Sequence, residues 1–193
     1  MKAAIPRRAL FAFILMASVL PTGATFTTYN DRAAFMAALG SSSATVEPFS
    51  SNLAFVVGDN LYNGINFRIT GTVGGNGISG GILNGDEFTN TSVDYIFALP
   101  IFAIGADFTG AATASGLTWT INGTPFQLFS ASPGTGFFGV ISTDAFTTVD
   151  VSSANEIYSL DNLTYAVPEP ATVAFCGFGL LSLIVLRRRG RHR

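Results

Sequence analysis

From residue 40 onward the chain alternates. In GLTWTI, residues 116–121, Leu117, Trp119 and Ile121 fall on one side and Thr118 and Thr120 on the other, the period-2 pattern of a half-buried strand. Asn122-Gly123 follows, a pair suited to the positive φ angles of a type I′ hairpin turn. Phe126 and Leu128 resume the alternation, and Pro125 predicts a return strand that starts late or lies at an edge. Further strands are predicted over 54–57, 65–70, 95–99, 103–108, 137–142, 147–152 and 163–166. One helix precedes them. Ala34, Phe35, Ala38 and Leu39 recur at helical spacing, with Asn30 placed to cap the start and Gly40 the end. Many short strands with Gly, Pro and Asn turns predict an all-β fold, an antiparallel β-sandwich of jelly-roll-like topology with one short N-terminal helix.

Residues 71–85 break the pattern with seven glycines in fifteen positions. Gly75 to Gly80 fits the letters G-x-G-x-x-G, but Gly81-Ile82-Leu83-Asn84-Gly85 cannot supply the helix that a dinucleotide site needs. The expectation is a surface loop.

The two ends carry a different pattern. Lys2, Arg7 and Arg8 precede an apolar segment of twelve residues, 9–20, then Pro21 and small residues. This predicts a secretory signal peptide over 1–24. At the other end, residues 171–186 carry no formal charge and are followed by Arg187, Arg188, Arg189, Arg191 and Arg193. As a helix the run would reach about 24 Å, which snorkelling arginine stems extend toward the ~30 Å of a bilayer core. The arginines should stay in the cytoplasm, with the body on the opposite side. Between body and run, Pro168-Glu169-Pro170 is an extended stalk that joins neither.

Charge separates body from ends. Residues 25–166 hold two arginines, Arg32 and Arg68, against eleven acids, a net charge of −9. Such a body does not bind nucleic acid through bulk electrostatics. The one cysteine is Cys176, the one histidine His192, and the one lysine Lys2. The body therefore lacks a thiol nucleophile, a histidine base, a zinc-ligand set and a reactive lysine. Only carboxylate chemistry is left for an enzyme.

Val167-Pro168-Glu169-Pro170, the apolar run and Arg187-Arg188-Arg189 together resemble the PEP-CTERM sorting signal of Gram-negative bacteria. The resemblance implies an exosortase as processing partner, a transient inner-membrane anchor, and release to the cell surface or extracellular matrix of an exopolysaccharide-producing cell. It divides the chain into signal peptide 1–24, ectodomain 25–166 and sorting signal 167–193, with stalk 167–170, membrane helix 171–186 and basic tail 187–193. FTTYNDRAAFMAALG at 26–40, GADFTG at 105–110, FFGVIS at 137–142 and YSLDNLTY at 158–165 resemble the ectodomain of many such proteins. That likeness implies a β-sandwich and no particular activity.

Two sets of site residues follow. Many jelly-roll carbohydrate-binding domains share a structural calcium between an early acid and a late Asp, and Glu47 and Asp161 resemble that pair in position. The competing reading makes Asp161 an Asx turn and leaves Glu47 solvated. Trp119 is in phase with the core, so Tyr29, Tyr62 and Tyr95 are the candidates for stacking on sugar rings. The expected function is that of a non-enzymatic, exported matrix protein that binds exopolysaccharide. The alternatives are a purely structural matrix or adhesion module and a carboxylate-dependent glycosidase.

Overall fold

A computed structural model describes residues 23–168, apart from 41, 43, 88–91, 112–115, 130–133 and 153–155. Residues 1–22 of the segment 1–24 read as a signal peptide, and Glu169, Pro170, the 171–186 run and Arg187, Arg188 and Arg189, lie outside the described residues. Among the described residues no helix is long and apolar enough to cross a membrane.

Strand β1 (Phe26–Tyr29) leads into helix α1 (Arg32–Leu39). The strands that follow are β2 (Ala44–Glu47), β3 (Leu53–Ala54), β4 (Gly58–Tyr62), β5 (Ile65–Thr70), β6 (Gly77–Ser79) and β7 (Ile82–Glu87). The rest are β8 (Ser92–Ala111), β9 (Thr118–Ile121), β10 (Thr124–Gln127), β11 (Gly136–Ser152) and β12 (Glu156–Ala166). Every pairing is antiparallel.

Strands β8 and β11 form one long ribbon that changes neighbours halfway. The first half of β8 pairs with β5, and the facing half of β11 pairs with β9. This gives a front layer in the order β4-β5-β8-β11-β9-β10. The second half of β8 pairs with β12, and the facing half of β11 pairs with β1. This back layer continues past β12 to β7 and β2, and from β7 to β6 and β3. Between the halves, register shifts at Ile141, Phe146 and Thr148 bend β11, and β8 passes through Pro100. Bends of this kind let a strand leave one sheet for the other.

The inner faces meet through aromatic side chains. Trp119 on β9 lies 5.7 Å from Phe138 and 5.8 Å from Phe108. Phe97 meets Tyr165 at 5.1 Å, and the Tyr95 and Tyr158 hydroxyls hydrogen-bond at 2.9 Å. The protein is an antiparallel β-sandwich with one short N-terminal helix, as the alternation predicted.

Several details differ from the sequence reading. The helix is capped by Asp31, not Asn30: Asp31 Oδ1 accepts from the Ala34 N–H at 2.7 Å. Gly40 ends it at φ 62°. Only Phe35 and Leu39 are buried on α1, a narrower face than the four positions anticipated. The stretches 95–99 and 103–108 belong to one strand, as do 137–142 and 147–152. The glycine-rich segment is a loop only over 71–76. Its remainder contains β6 and the first four residues of β7, and Ile78 and Leu83 are core residues. Gly85 has a steric reason: a Cβ there would fall 2.0 Å from the Tyr158 ring, which lies across it from the paired position.

Candidate functional site

The four segments 26–40, 105–110, 137–142 and 158–165 meet on the outer face of the back layer. Gly105 on β8 pairs with Gly139 on β11. The missing side chains leave a trough. A Cβ at Gly105 would sit 2.5 Å from Phe137, and one at Gly139 would sit 2.8 Å from both Phe35 and Phe137. The Phe35 and Phe137 rings fill the space at 5.2 Å from each other. Leu39, Ala103 and Ala166 complete this second core.

Arg32 fastens the helix beside the trough. Its Nε donates to both Asp107 oxygens at 3.1 Å, Nη1 to Thr164 Oγ1 at 2.7 Å, and Nη2 to the Asn162 carbonyl at 2.9 Å. Asn162 Nδ2 donates to Asp107 in turn, at 3.1 Å. The guanidinium also lies 4.9 Å above the Phe137 ring. Asn162 has φ 50° at the register shift in β12, which turns its carbonyl to the arginine. Helix, β8, β11 and β12 are thereby tied at one point.

That tie fixes the corner where β1 enters α1, and the corner borders a groove. The groove has a volume of about 440 Å³ and runs along the open seam between β1 of the back layer and β10 of the front layer. Phe126 and Phe129, both half-buried, form apolar walls over the buried Phe138, and Thr28, Asn30 and Gln127 add hydroxyl and amide groups. A smaller hollow of about 200 Å³ shares Asn30, Leu128 and Phe129 and extends toward Thr135 and Gly136. The Asn122-Gly123 turn, at φ 49° and 77°, sets the hairpin that carries Phe126. Phe26 and Phe126, 5.1 Å apart, pin the two edges together. Leu128 donates its N–H to the Leu117 carbonyl at 3.0 Å, which holds the chain beyond β10 in line.

A second surface lies on the outer face of the front layer. Asp59, Arg68, Asp94, Asp150 and Thr120 form one row across five strands, each registered with the next. Arg68 Nε donates to Asp59 at 2.8 Å and Asn66 donates to the same oxygen at 2.9 Å. These two bonds lower the Asp59 pKa. Asp94 behaves oppositely. Burial raises its pKa first, and the neighbouring Asp150 charge raises it further. Asp94 and Asp150 stand directly opposite each other on β8 and β11.

The sequence-derived candidates are placed as follows. Tyr62 and Tyr95 are core residues and offer no ring face to a ligand. The Tyr62 hydroxyl instead accepts from the Ser51 N–H at 2.9 Å. Tyr29 is half-buried, with its ring edge-on to Phe35 at 5.7 Å. Glu47 is buried, and both its oxygens are engaged. One accepts from the Phe49 N–H at 2.8 Å and the other from Asn63 Nδ2 at 2.9 Å. Phe49 is fully buried at φ 50°, a left-handed conformation costly for a bulky residue, and Glu47 holds it there. Asp161 accepts from the Asn162 N–H within the β12 shift. A calcium ion needs six to eight oxygens. Glu47 and Asp161 do not fit one, and among the described residues no three acidic, His or Cys side chains gather. Of the four residues read as a sorting motif, Val167 packs against the core and Pro168 is exposed.

No protein-family model matches the chain, and no curated protein matches it. Among solved structures, a carbohydrate-binding module of family 29 superposes with a TM-score of 0.40 at 14% identity, over 65% of this chain and 88% of that one. A lysine-to-alanine variant of a family 29 module complexed with cellulohexaose gives 0.39 at 15% identity, over 64% and 91%. Both superpositions are loose and establish no residue correspondences.

Proposed function

We propose that the chain is exported, held at the inner membrane by its C-terminal run, and cut by an exosortase at the Pro168-Glu169-Pro170 stalk. The sandwich then joins the extracellular matrix and binds a polysaccharide strand in the seam groove without acting on it chemically. The observation that carries the binding reading is the composition of the groove. Aromatic walls offer a stacking face to the C–H side of a sugar ring, and amide and hydroxyl groups beside them match its hydroxyls. The groove is open along the edges of two strands, so a polymer can lie in it lengthwise.

Affinity electrophoresis through gels containing the native exopolysaccharide tests this. Phe126→Ala and Asn30→Ala should each weaken retardation about tenfold, the loss of one stacking or hydrogen-bonding contact of ~1.4 kcal/mol. Tyr95→Phe, in the core, should not change it. Unretarded wild-type protein that still enters the matrix would favour a purely structural module.

A further inference from the structure

An apolar opening lies where the chain leaves the domain. A pocket of about 230 Å³ sits between the bend of β8 and the end of β12. Phe97, Leu99, Ile101, Tyr165 and Val167 line it, and none of its lining residues carries a charge. Ile101 is fully buried beneath it, while Leu99 is 60% exposed at the rim. Two more exposed aliphatics lie on strands that reach its wall, turned by the alternation to the outer faces of the two layers. Val46, 43% exposed, follows Thr45 of the pocket wall, and Leu61, 73% exposed, precedes the Asn63-Gly64 turn whose Gly64 is also in the wall.

The covalent chain says what is near this opening. Val167 lines it, and the uncharged run begins at residue 171, three residues after Pro168. Three extended residues span about 10 Å. If that run is in a bilayer, as the proposed anchoring requires, the opening cannot be far from the lipid headgroups. Its chemistry suits that position. Aliphatic side chains and a tyrosine are favourable at the boundary of a membrane, and the uncharged rim keeps the acidic body from opposing an anionic surface at close range.

We propose that this end of the sandwich rests on the lipid surface while the chain is anchored, with Leu99, Val46 and Leu61 at the headgroup boundary. This inference rests on the proposed anchoring. Cutting the stalk frees the same surface. The seam groove is directed elsewhere: its Phe138 registers with Ala106, five residues along β8 from Ile101.

The test uses the full chain carrying Cys176→Ser, with a single cysteine introduced as Leu99→Cys, Val46→Cys or Thr120→Cys. Each is labelled with an environment-sensitive fluorophore and reconstituted in phosphatidylcholine–phosphatidylglycerol vesicles containing headgroup-nitroxide lipid. Labels at 99 and 46 should be quenched at least twofold and shifted to the blue. The label at 120, on the outer face of the front layer, should be unchanged. Protease cleavage at the stalk should return 99 and 46 to their aqueous signal. Chains that float with the vesicles but show no quenching at 99 and 46, or equal quenching at all three positions, overturn the proposal. Chains that do not float overturn the anchoring, and the proposal with it.

Discussion

On the back layer, β8 and β11 meet at Gly105 and Gly139; on the front layer the same two strands meet at Asp94 and Asp150. The glycine pair opens a trough that two phenylalanine rings fill, and a helix closes over it. The aspartate pair projects side chains with a charge to solvate, and the acids and Arg68 keep that face polar. The ribbon is common to both, so the difference lies in the residues at its crossing points. Backbone geometry provides a sheet face; the volume and charge of its central pair determine whether another element can settle there.

The largest way to break the contrast is to empty the trough. Phe35→Ala should cost about 3–5 kcal/mol in urea unfolding, because a fully buried ring leaves a cavity under α1. Filling the trough from below should come next. Gly139→Ala should cost about 1–3 kcal/mol, since its Cβ meets two rings at 2.8 Å and one must move. Arg32→Ala should cost about 1–2 kcal/mol, discounted because Arg32 and Asp107 are 29% and 32% exposed. Near-ultraviolet circular dichroism should show the helix-side aromatics loosening in all three variants.

On the open face the effect is smaller and has a sign that depends on pH. Asp94 has its folded pKa raised above 3.8 by burial and by Asp150. The folded state therefore holds its proton more tightly than the unfolded chain does. The resulting stabilisation is complete below about pH 3.8 and is lost as pH rises through the folded pKa. Asp94→Asn should raise the urea midpoint at pH 7 and flatten the profile between acid and neutral pH. The smallest expected effect is that of metal removal. A chelator should leave Tm unchanged, because Glu47 is occupied by Phe49 and Asn63.

Local signals were legible in the sequence, and distant ones were not. The 118–127 hairpin followed from Asn122-Gly123 and strict alternation, and the core position of Trp119 from its phase. The helix was found, with its cap displaced by one residue, because Asn30 and Asp31 are both good caps and only the backbone distinguishes them. The continuity of β8 and β11 was hidden. Pro100 and the Ser142-Thr143-Asp144 stretch look like turns, yet the chain bends there without ending its pairing. Tyr95 is no stacking residue: Val93, Tyr95 and Phe97 alternate as a buried strand does, and all three are core. Glu47 was read as a metal ligand or a solvated acid because no local pattern shows a carboxylate bracing a backbone two residues on. The groove was missed because Asn30 and Phe126 are 96 positions apart, and nothing short of the paired edges brings them together.

The ribbon shared by both layers has a mechanical consequence. Tension applied to the chain beyond Val167 enters at β12, whose neighbours include β8, and β8 hands it to the front layer through the bend at Pro100. Neither layer can peel away while the other stays intact, so a pull on the C-terminal end of β12 should meet the resistance of the whole domain in a single rupture.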